Sequence, residues 1–186
     1  NMNWMSCHED RMSTDVFAGA VEDIKPVIAK GSSDSAALDS VFELLLQAGR
    51  DLPMVKTMMI PQAVDVNGDN ELAKLYAYCN SVMEPWDGPA AICATDAKWV
   101  LASSDRNGLR PLRYTITKDD LFFAGSETGM IKIPEEKIIE KGKLGPGEII
   151  AIDLKKVKLF KDKAIKDLLA KDYKKYKTQQ FKSTDY

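Results

Sequence analysis

The sequence predicts an α+β fold in which helices pack on a mainly antiparallel sheet. Amphipathic helix patterns cover residues 34–48 and 70–83, and one further helix pattern covers residues 162–170. Between them, short apolar runs separated by turn residues follow one another closely from Ala90 to Asp153. Strands spaced in this way form hairpins, because parallel strands need a crossover of a dozen or more residues.

Length and composition indicate an ordinary globular chain. Its 186 residues, 45% of them hydrophobic, suffice for one domain with a core, or one domain plus an appendage. No stretch approaches the roughly 18 apolar residues of a membrane span, and no secretory leader pattern is found, so we expect no membrane association. The three cysteines, Cys7, Cys79 and Cys93, form no C-x-x-C pair, which favours reduced thiols in a cytoplasmic protein.

Charge is unevenly distributed along the chain. From Lys155 onward there are eleven lysines and four aspartates, although the net charge of the whole chain is −2. Such a tail, with Tyr173, Tyr176 and Phe181 interleaved, can bind nucleic acid or a partner. A solvated helix followed by a linker is the more common role, and the acidic remainder offers no second basic face. We therefore expect no nucleic-acid binding.

The first thirty residues predict one or two short helices, interrupted near Gly19 and Pro26. Cys7 and His8 are adjacent in the sequence, and neighbours on a helix diverge by about 100°, so they do not form a catalytic dyad.

The Gly31–Ser35 segment predicts the start of a strong helix that ends at Gly49. Ser33 or Asp34 is the natural N-cap. For Asp34 two roles remain open. Its carboxylate either caps the helix, which composition favours, or faces outward and receives an ammonium group.

The next two segments surround a turn at Asn67-Gly68. Residues 53–63 are apolar but interrupted by prolines, which predicts an extended or irregular segment in the core. Asn70 is expected to cap a second helix that ends before Pro85. Cys79 falls on the apolar face of that helix, so we interpret it as a packed thiol and not as a nucleophile.

The sheet is built from six strand patterns. The first is a continuous apolar run, which predicts a strand buried on both faces. A helix pattern follows the last of them. The patterns cover residues 90–94, 99–102, 112–117, 121–124, 137–140 and 148–153.

The loop Asp105–Pro111 separates two of these strands and carries the densest group of charged residues. Asn107-Gly108 predicts a tight hairpin turn. The arginines of this region, at positions 106, 110 and 113, are expected to converge with Asp105. Guanidinium groups in such a place either bind a carboxylate or form a buried ion-pair network, and the second outcome is the commoner one.

Several ordered motifs resemble one family. GSSDSAALDSVFELLLQAGR, NSVMEPWDGPAAI, SDRNGLRPLRYTIT, GSETGMIKI and EKGKLGPGEIIAIDL resemble, in this order, the glutaminase domain of glutamate synthases. These are class II glutamine amidotransferases. The opening NMNWM is similar to the residues that follow the H-N-G-E-I-N-T segment of that family. The block MEPWDGPAA is specific to glutamate synthases, whereas the loop and P-G-E motifs are shared more widely within the class.

The resemblance implies a four-layer αββα N-terminal-nucleophile sandwich. It also implies an amino-terminal cysteine that attacks the carboxamide of L-glutamine, and ammonia that travels to 2-oxoglutarate in the synthase domains. Asp34, with Ser33 beside it, matches the G-x-S-D-S motif whose aspartate binds the α-ammonium group of glutamine. The loop residues are expected to be a scaffold near the site: Asp105, Arg106, Asn107, Gly108 and Arg110.

The resemblance also predicts what this chain lacks. The sequence contains no H-N-G-E segment, and its cysteines do not match nucleophile positions, so we expect the catalytic residues upstream and no activity from this chain alone. Residues 1–154 are then the C-terminal half of a glutaminase domain, and residues 155–186 a basic helix or linker towards the next domain.

The parent enzyme is expected to use FMN, an iron–sulfur cluster and NADPH, NADH or ferredoxin, with no cofactor or metal in this segment. Expected partners are the other half of the domain, the synthase domains and a small reductase subunit. Two alternatives remain: a non-catalytic half-domain that binds glutamine or glutamate, and the glutaminase domain of another class II amidotransferase.

Overall fold

A computed structural model describes residues 21–63 and 70–174. Within these ranges the helices are α1 (Asp34–Gln47), α2 (Leu52–Met59), α3 (Glu71–Val82) and α4 (Asp162–Asp172), with 3-10 turns at Val21–Ile24 and Glu135–Lys137. The strands are β1 (Ala91–Thr95), β2 (Trp99–Ser104), β3 (Arg113–Thr117), β4 (Phe122–Gly125), β5 (Ile138–Lys143), β6 (Ile149–Asp153) and β7 (Lys158–Phe160). The predictions for residues 1–20, including Cys7 and His8, for the turn at 64–69 and for the end of the basic tail at 175–186, including Tyr176 and Phe181, lie outside the described residues.

Helices α1 and α3 begin where the capping residues predict. The hydroxyl of Ser33 accepts a hydrogen bond from the Ala36 amide at 3.2 Å, so Ser33 and not Asp34 caps α1. Asn70 Oδ1 caps α3 by accepting from the Ala73 amide at 2.8 Å. Gly49 follows α1 with a φ of +86°, the left-handed conformation expected just past a helix end.

The prediction of an extended segment at residues 53–63 is wrong, because residues 52–59 form helix α2. Pro53 lies in the first helical turn, where its missing N–H would have had no partner anyway, so it starts the helix. Pro61 follows the helix end. The predicted place in the core is confirmed, since every residue of α2 is buried. Three α-helices in the described residues thus precede the sheet, one more than predicted.

The strands form two antiparallel sheets, with the orders β1-β2-β6-β7 and β4-β3-β5. The antiparallel prediction is confirmed. The strand β7 was missed, because it has only three residues in a lysine-rich stretch. The prediction that β1 is buried on both faces is wrong: β1 is an outer strand on which Ala91, Cys93 and Thr95 are exposed and Ile92 is buried.

The four-stranded sheet lies between the helices and the second sheet. One of its faces contributes Leu101, Ile149 and Ala151 to the core that it shares with the helices. The opposite face packs against the second sheet through a smaller cluster of Ala102, Leu112, Leu144 and Ile150. This layering confirms the predicted α+β class and fits the N-terminal-nucleophile sandwich that the resemblance implies.

The segment after Leu154 contributes to the same core. Strand β7 pairs with β6, and Ile165 and Leu169 of α4 are buried among the side chains of the other helices. The domain boundary at Leu154 stays a prediction. Across residues 21–63 and 70–174, no helix is both long and apolar enough to cross a membrane.

Candidate functional site

Asp34 is the first residue of α1, and its side chain is exposed. Because Ser33 performs the capping, the Asp34 carboxylate is available for another role, and it makes no hydrogen bond or ion pair with a described residue. The N-terminal end of a helix carries partial positive charge, which stabilises a carboxylate there. The sequence left two roles open for Asp34, and the structure therefore excludes one of them, helix capping.

An open cleft of about 400 Å³ begins at the residue after Asp34. It lies between the first turns of α1 and the outer strand β1, whose far edge pairs with no other described strand. The cleft has an apolar floor and a polar rim. Its lining residues are Ser35, Ala36, Leu38, Asp39, Phe42, Ile92, Cys93 and Ala94.

The loop after β2 crosses from one sheet to the other, so the hairpin prediction is wrong. Strand β2 pairs with β1 and β6, whereas β3 pairs with β4 and β5. A type I′ hairpin needs a positive φ at two consecutive residues. Here Gly108 has a φ of +64° and Asn107 does not have a positive φ.

Asp105 organises this loop. The residue is 1% exposed, and its carboxylate accepts backbone N–H groups from Asn107 at 2.9 Å, Leu109 at 3.0 Å and Arg110 at 3.2 Å. A fourth N–H, that of Ala90, donates at 3.1 Å and ties the loop to the start of β1. Burial alone would raise the pKa of this carboxyl, but the four amide hydrogen bonds outweigh it and lower the pKa below its usual value.

The interpretation of the arginines as a buried network is also wrong. Arg106, Arg110 and Arg113 are exposed, and none forms an ion pair with Asp105 or with another residue of the described ranges. Asp105 binds the backbone amides of the loop instead. The guanidinium groups of Arg106 and Arg110 are therefore displayed on a fixed loop.

A Gly-Pro-Gly corner, residues 145–147, packs against the Asp105–Pro111 loop and is hydrogen-bonded to it. The Gly147 amide donates to the Asp105 carbonyl at 2.7 Å. The φ of Gly147 is +66°, and a Cβ there would lie 2.9 Å from Gln62 Cγ and 3.0 Å from its Cα, so only glycine fits.

Two buried lysines support this corner, Lys56 directly and Lys166 through Gln62, and sequence reasoning missed both. Lys56 on α2 is 2% exposed and donates from Nζ to the Gly147 carbonyl at 3.1 Å. Lys166 on α4 is 3% exposed, and its Nζ lies 2.6 Å from both Asp162 Oδ1 and Gln62 Oε1. For Lys56, the available signal was that it is the single lysine in the apolar run PMVKTMMI.

The pKa of Lys56 is lowered to about 7. Burial is the main cause, because it penalises the charged amine, and the charge of Lys166 adds to it. Asp162 and Asp105 act in the opposite direction but do not offset burial.

This shift predicts a pH-dependent stability. Between pH 7 and about pH 10 the unfolded Lys56 is protonated and the folded one is neutral, so the unfolded state binds more protons and stability rises with pH, by up to about 1.4 kcal/mol per pH unit. In Lys56→Met this slope should disappear, and exposed Lys74→Met is the matched control. Urea unfolding at several pH values measures the effect. Equal slopes in the wild type and Lys56→Met would contradict it.

Neither described cysteine has the environment of a nucleophile. Cys79 is buried in α3, which raises the pKa of its thiol to about 12, and partial desolvation by its neighbours raises the pKa of the otherwise exposed Cys93 on β1. A nucleophilic thiol needs a lowered pKa. The buried position of Cys79 thus confirms the interpretation of this residue as a packed thiol. Among the described residues, no group of three or more His, Cys, Asp or Glu side chains is placed to hold a metal.

Comparison with known proteins gives one consistent result. Residues 1–178 match the family described as class-II glutamine amidotransferases. The NADPH glutamate synthase large chain of Azospirillum brasilense is 57% identical over 173 residues, which cover 91% of this chain and 11% of that protein. The NADH glutamate synthase of Saccharomyces cerevisiae is 39% identical over 188 residues, which cover 100% and 9%.

A third relative is the ferredoxin-dependent glutamate synthase of Pyropia yezoensis, 38% identical over 170 residues, which cover 89% of this chain and 11% of that protein. The chain therefore spans about a tenth of the length of these relatives.

Proposed function

This chain belongs to the class-II glutamine amidotransferase family, and from that membership we propose that it is the glutamine-binding part of the glutaminase domain of a glutamate synthase. In this proposal the complete domain hydrolyses L-glutamine to glutamate and ammonia. The ammonia passes to 2-oxoglutarate in the synthase domains, which yields a second glutamate.

One observation carries the proposal: the Asp34 carboxylate has no capping role, and Asp34 immediately precedes Ser35, which lines an open cleft. A carboxylate in this place can receive the α-ammonium group of glutamine through charge-assisted hydrogen bonds. Ser33 keeps the helix start ordered and is the second proposed contact of glutamine. Both residues belong to the segment that matches the G-x-S-D-S motif of the family.

Arg106 and Arg110 are the proposed cationic groups near the site. Their guanidinium groups are exposed on a loop that Asp105 fixes, and guanidinium groups pair well with carboxylates. The acidic partner is either glutamine or a side chain of the neighbouring domain.

We place the nucleophile outside these 186 residues. The raised thiol pKa of Cys79 and Cys93 supports this for two of the three cysteines, since a cysteine must form a thiolate in order to attack the carboxamide carbon, and the family resemblance gives Cys7 no nucleophile position. Attack by that thiolate, with transfer of the original thiol proton to the departing nitrogen, expels ammonia and leaves a thioester, which water then hydrolyses to glutamate. This chain contributes binding and orientation to those steps, because a substrate held in place reacts faster.

The remaining parts of the proposal concern the longer polypeptide. We assign FMN, the iron–sulfur cluster and the site for NADPH, NADH or ferredoxin to its other domains and to a small reductase subunit. The names of the relatives include all three electron donors, and they leave the choice open. We propose a cytoplasmic location, in accord with the unpaired thiols Cys79 and Cys93.

Assays of glutamine hydrolysis test the function. The full-length polypeptide should release glutamate and ammonia from L-glutamine, whereas residues 1–186 alone should release neither. Hydrolysis by the short chain would contradict an external nucleophile. Binding of glutamine by the full-length protein without hydrolysis would instead favour the non-catalytic binding module.

A further inference from the structure

The Gly-Pro-Gly corner is held by side chains at each of its three carbonyl groups. Ser104 Oγ donates to the Gly145 carbonyl, Gln62 Nε2 to that of Pro146 at 3.2 Å, and Lys56 Nζ to that of Gly147 at 3.1 Å. A corner that is restrained at three consecutive carbonyl groups has little freedom to shift. Its position is therefore set by the elements that carry these donors.

Gln62 differs from the other two donors because both the nitrogen and the oxygen of its side-chain amide form hydrogen bonds. Its Nε2 donates to Pro146, while its Oε1 accepts from Lys166 Nζ at 2.6 Å. Lys166 is in turn held by Asp162, whose Oδ1 also accepts the Ile149 amide at 3.0 Å. A continuous chain of hydrogen bonds thus runs from α4 through Gln62 to the corner.

The corner transmits its position to the arginine-bearing loop through two contacts. The Gly147 amide donates to the Asp105 carbonyl, and a Cβ on Gly108 would lie 3.1 Å from Pro146. Packing this close couples the loop to the corner, because neither backbone can shift without displacing the other. This same loop carries the exposed guanidinium groups of Arg106 and Arg110.

We propose that Gln62 is a positioning residue of the site: it ties Lys166 of α4 to the 145–147 corner and thereby fixes the loop that presents Arg106 and Arg110. The inference rests on the proposed glutaminase function. It assigns α4, the last described helix, a role in the geometry of the site in addition to its role in the core.

The test is Gln62→Glu in the full-length polypeptide. Glutamate keeps the size of the side chain and an acceptor for Lys166, but its carboxylate cannot donate to the Pro146 carbonyl. Gln62 acts on glutamine only through the loop, so the value of one hydrogen bond is an upper limit: the KM for glutamine should rise by up to about tenfold while kcat changes less than about twofold. Hydrogen exchange at the Leu109 and Arg110 amides, which donate to Asp105, should become faster.

Lys166→Met provides a second variant, because it removes the anchor of Gln62 from the α4 side. If Gln62→Glu does not fold, the KM and the loop exchange are measured in Lys166→Met instead. The matched control is Lys163→Met, the same substitution on the same helix at a side chain that is 88% exposed. The control should leave the KM and the loop exchange unchanged.

The outcomes separate the proposals. A raised KM in Gln62→Glu and Lys166→Met, but not in Lys163→Met, supports the positioning role. An unchanged KM in a folded Gln62→Glu, or a fall in kcat that only follows lost thermal stability, overturns it. If the wild-type polypeptide does not hydrolyse glutamine, the proposed function fails instead, and the exchange measurement still reports whether Gln62 holds the loop.

Discussion

Replacing Asp34 with asparagine in the full-length polypeptide should weaken glutamine binding about 100-fold. Asparagine has the same shape but no charge, so the α-ammonium group of glutamine would lose its charged partner. Losing a hydrogen bond to a charged group costs about 3 kcal/mol, and each 1.4 kcal/mol is a factor of about ten in affinity. Isothermal titration with glutamine, together with the KM for hydrolysis, measures the effect.

The stability of Asp34→Asn should stay close to that of the wild type, because Ser33 caps α1 and the Asp34 side chain is exposed. Glu43→Gln is the matched control, since it also removes one exposed charge from α1. If Asp34→Asn binds glutamine as tightly as Glu43→Gln does, Asp34 does not receive the ammonium group. If it loses stability instead, its role is structural.

Asp105→Asn should lower the free energy of unfolding by about 3 kcal/mol, because a buried carboxylate with four amide donors is replaced by a group that carries its own donor. The side-chain NH₂ of asparagine would face backbone N–H groups, and two donors cannot form a hydrogen bond with each other. Urea unfolding of residues 1–186 measures the loss. Asp119→Asn, at an exposed ion pair with Lys137, should change stability by less than about 0.5 kcal/mol.

Asp105→Asn should also change how the free energy of unfolding depends on pH in the acid range. The pKa of Asp105 is lower in the folded state than its unfolded value of about 3.9, so the folded state binds fewer protons there. Its contribution to stability is fully present above the unfolded pKa and is lost as the pH falls through the folded pKa. The stability difference between the wild type and Asp105→Asn should therefore shrink below about pH 4. A difference that is constant down to pH 2 would show that Asp105 stabilises the loop without titrating.

Much of the fold could be predicted because its signals are local. Ser33 and Asn70 cap helices through residues three positions away, and the strand patterns around Leu101 and Ile150 are apolar runs of a few residues. The family motifs are equally local, so the Asp34 segment was recognisable without a structure. Local rules failed where two readings were possible, as at Pro53, which can begin a helix as well as interrupt one.

The sequence by itself determined the α+β class, the family and the identity of the candidate site residues. Only the tertiary structure decided what those residues contact. Asn107-Gly108 does not indicate whether β2 and β3 share a sheet, because pairing depends on partners distant in the sequence, and here the strands belong to different sheets. The polar cluster around Gln62 likewise joins residues 84 and 104 positions apart. No local pattern encodes contacts between residues so distant in the sequence. The role of Lys56, a lone lysine in an apolar run, was therefore visible only in the folded structure, where it donates to the Gly147 carbonyl.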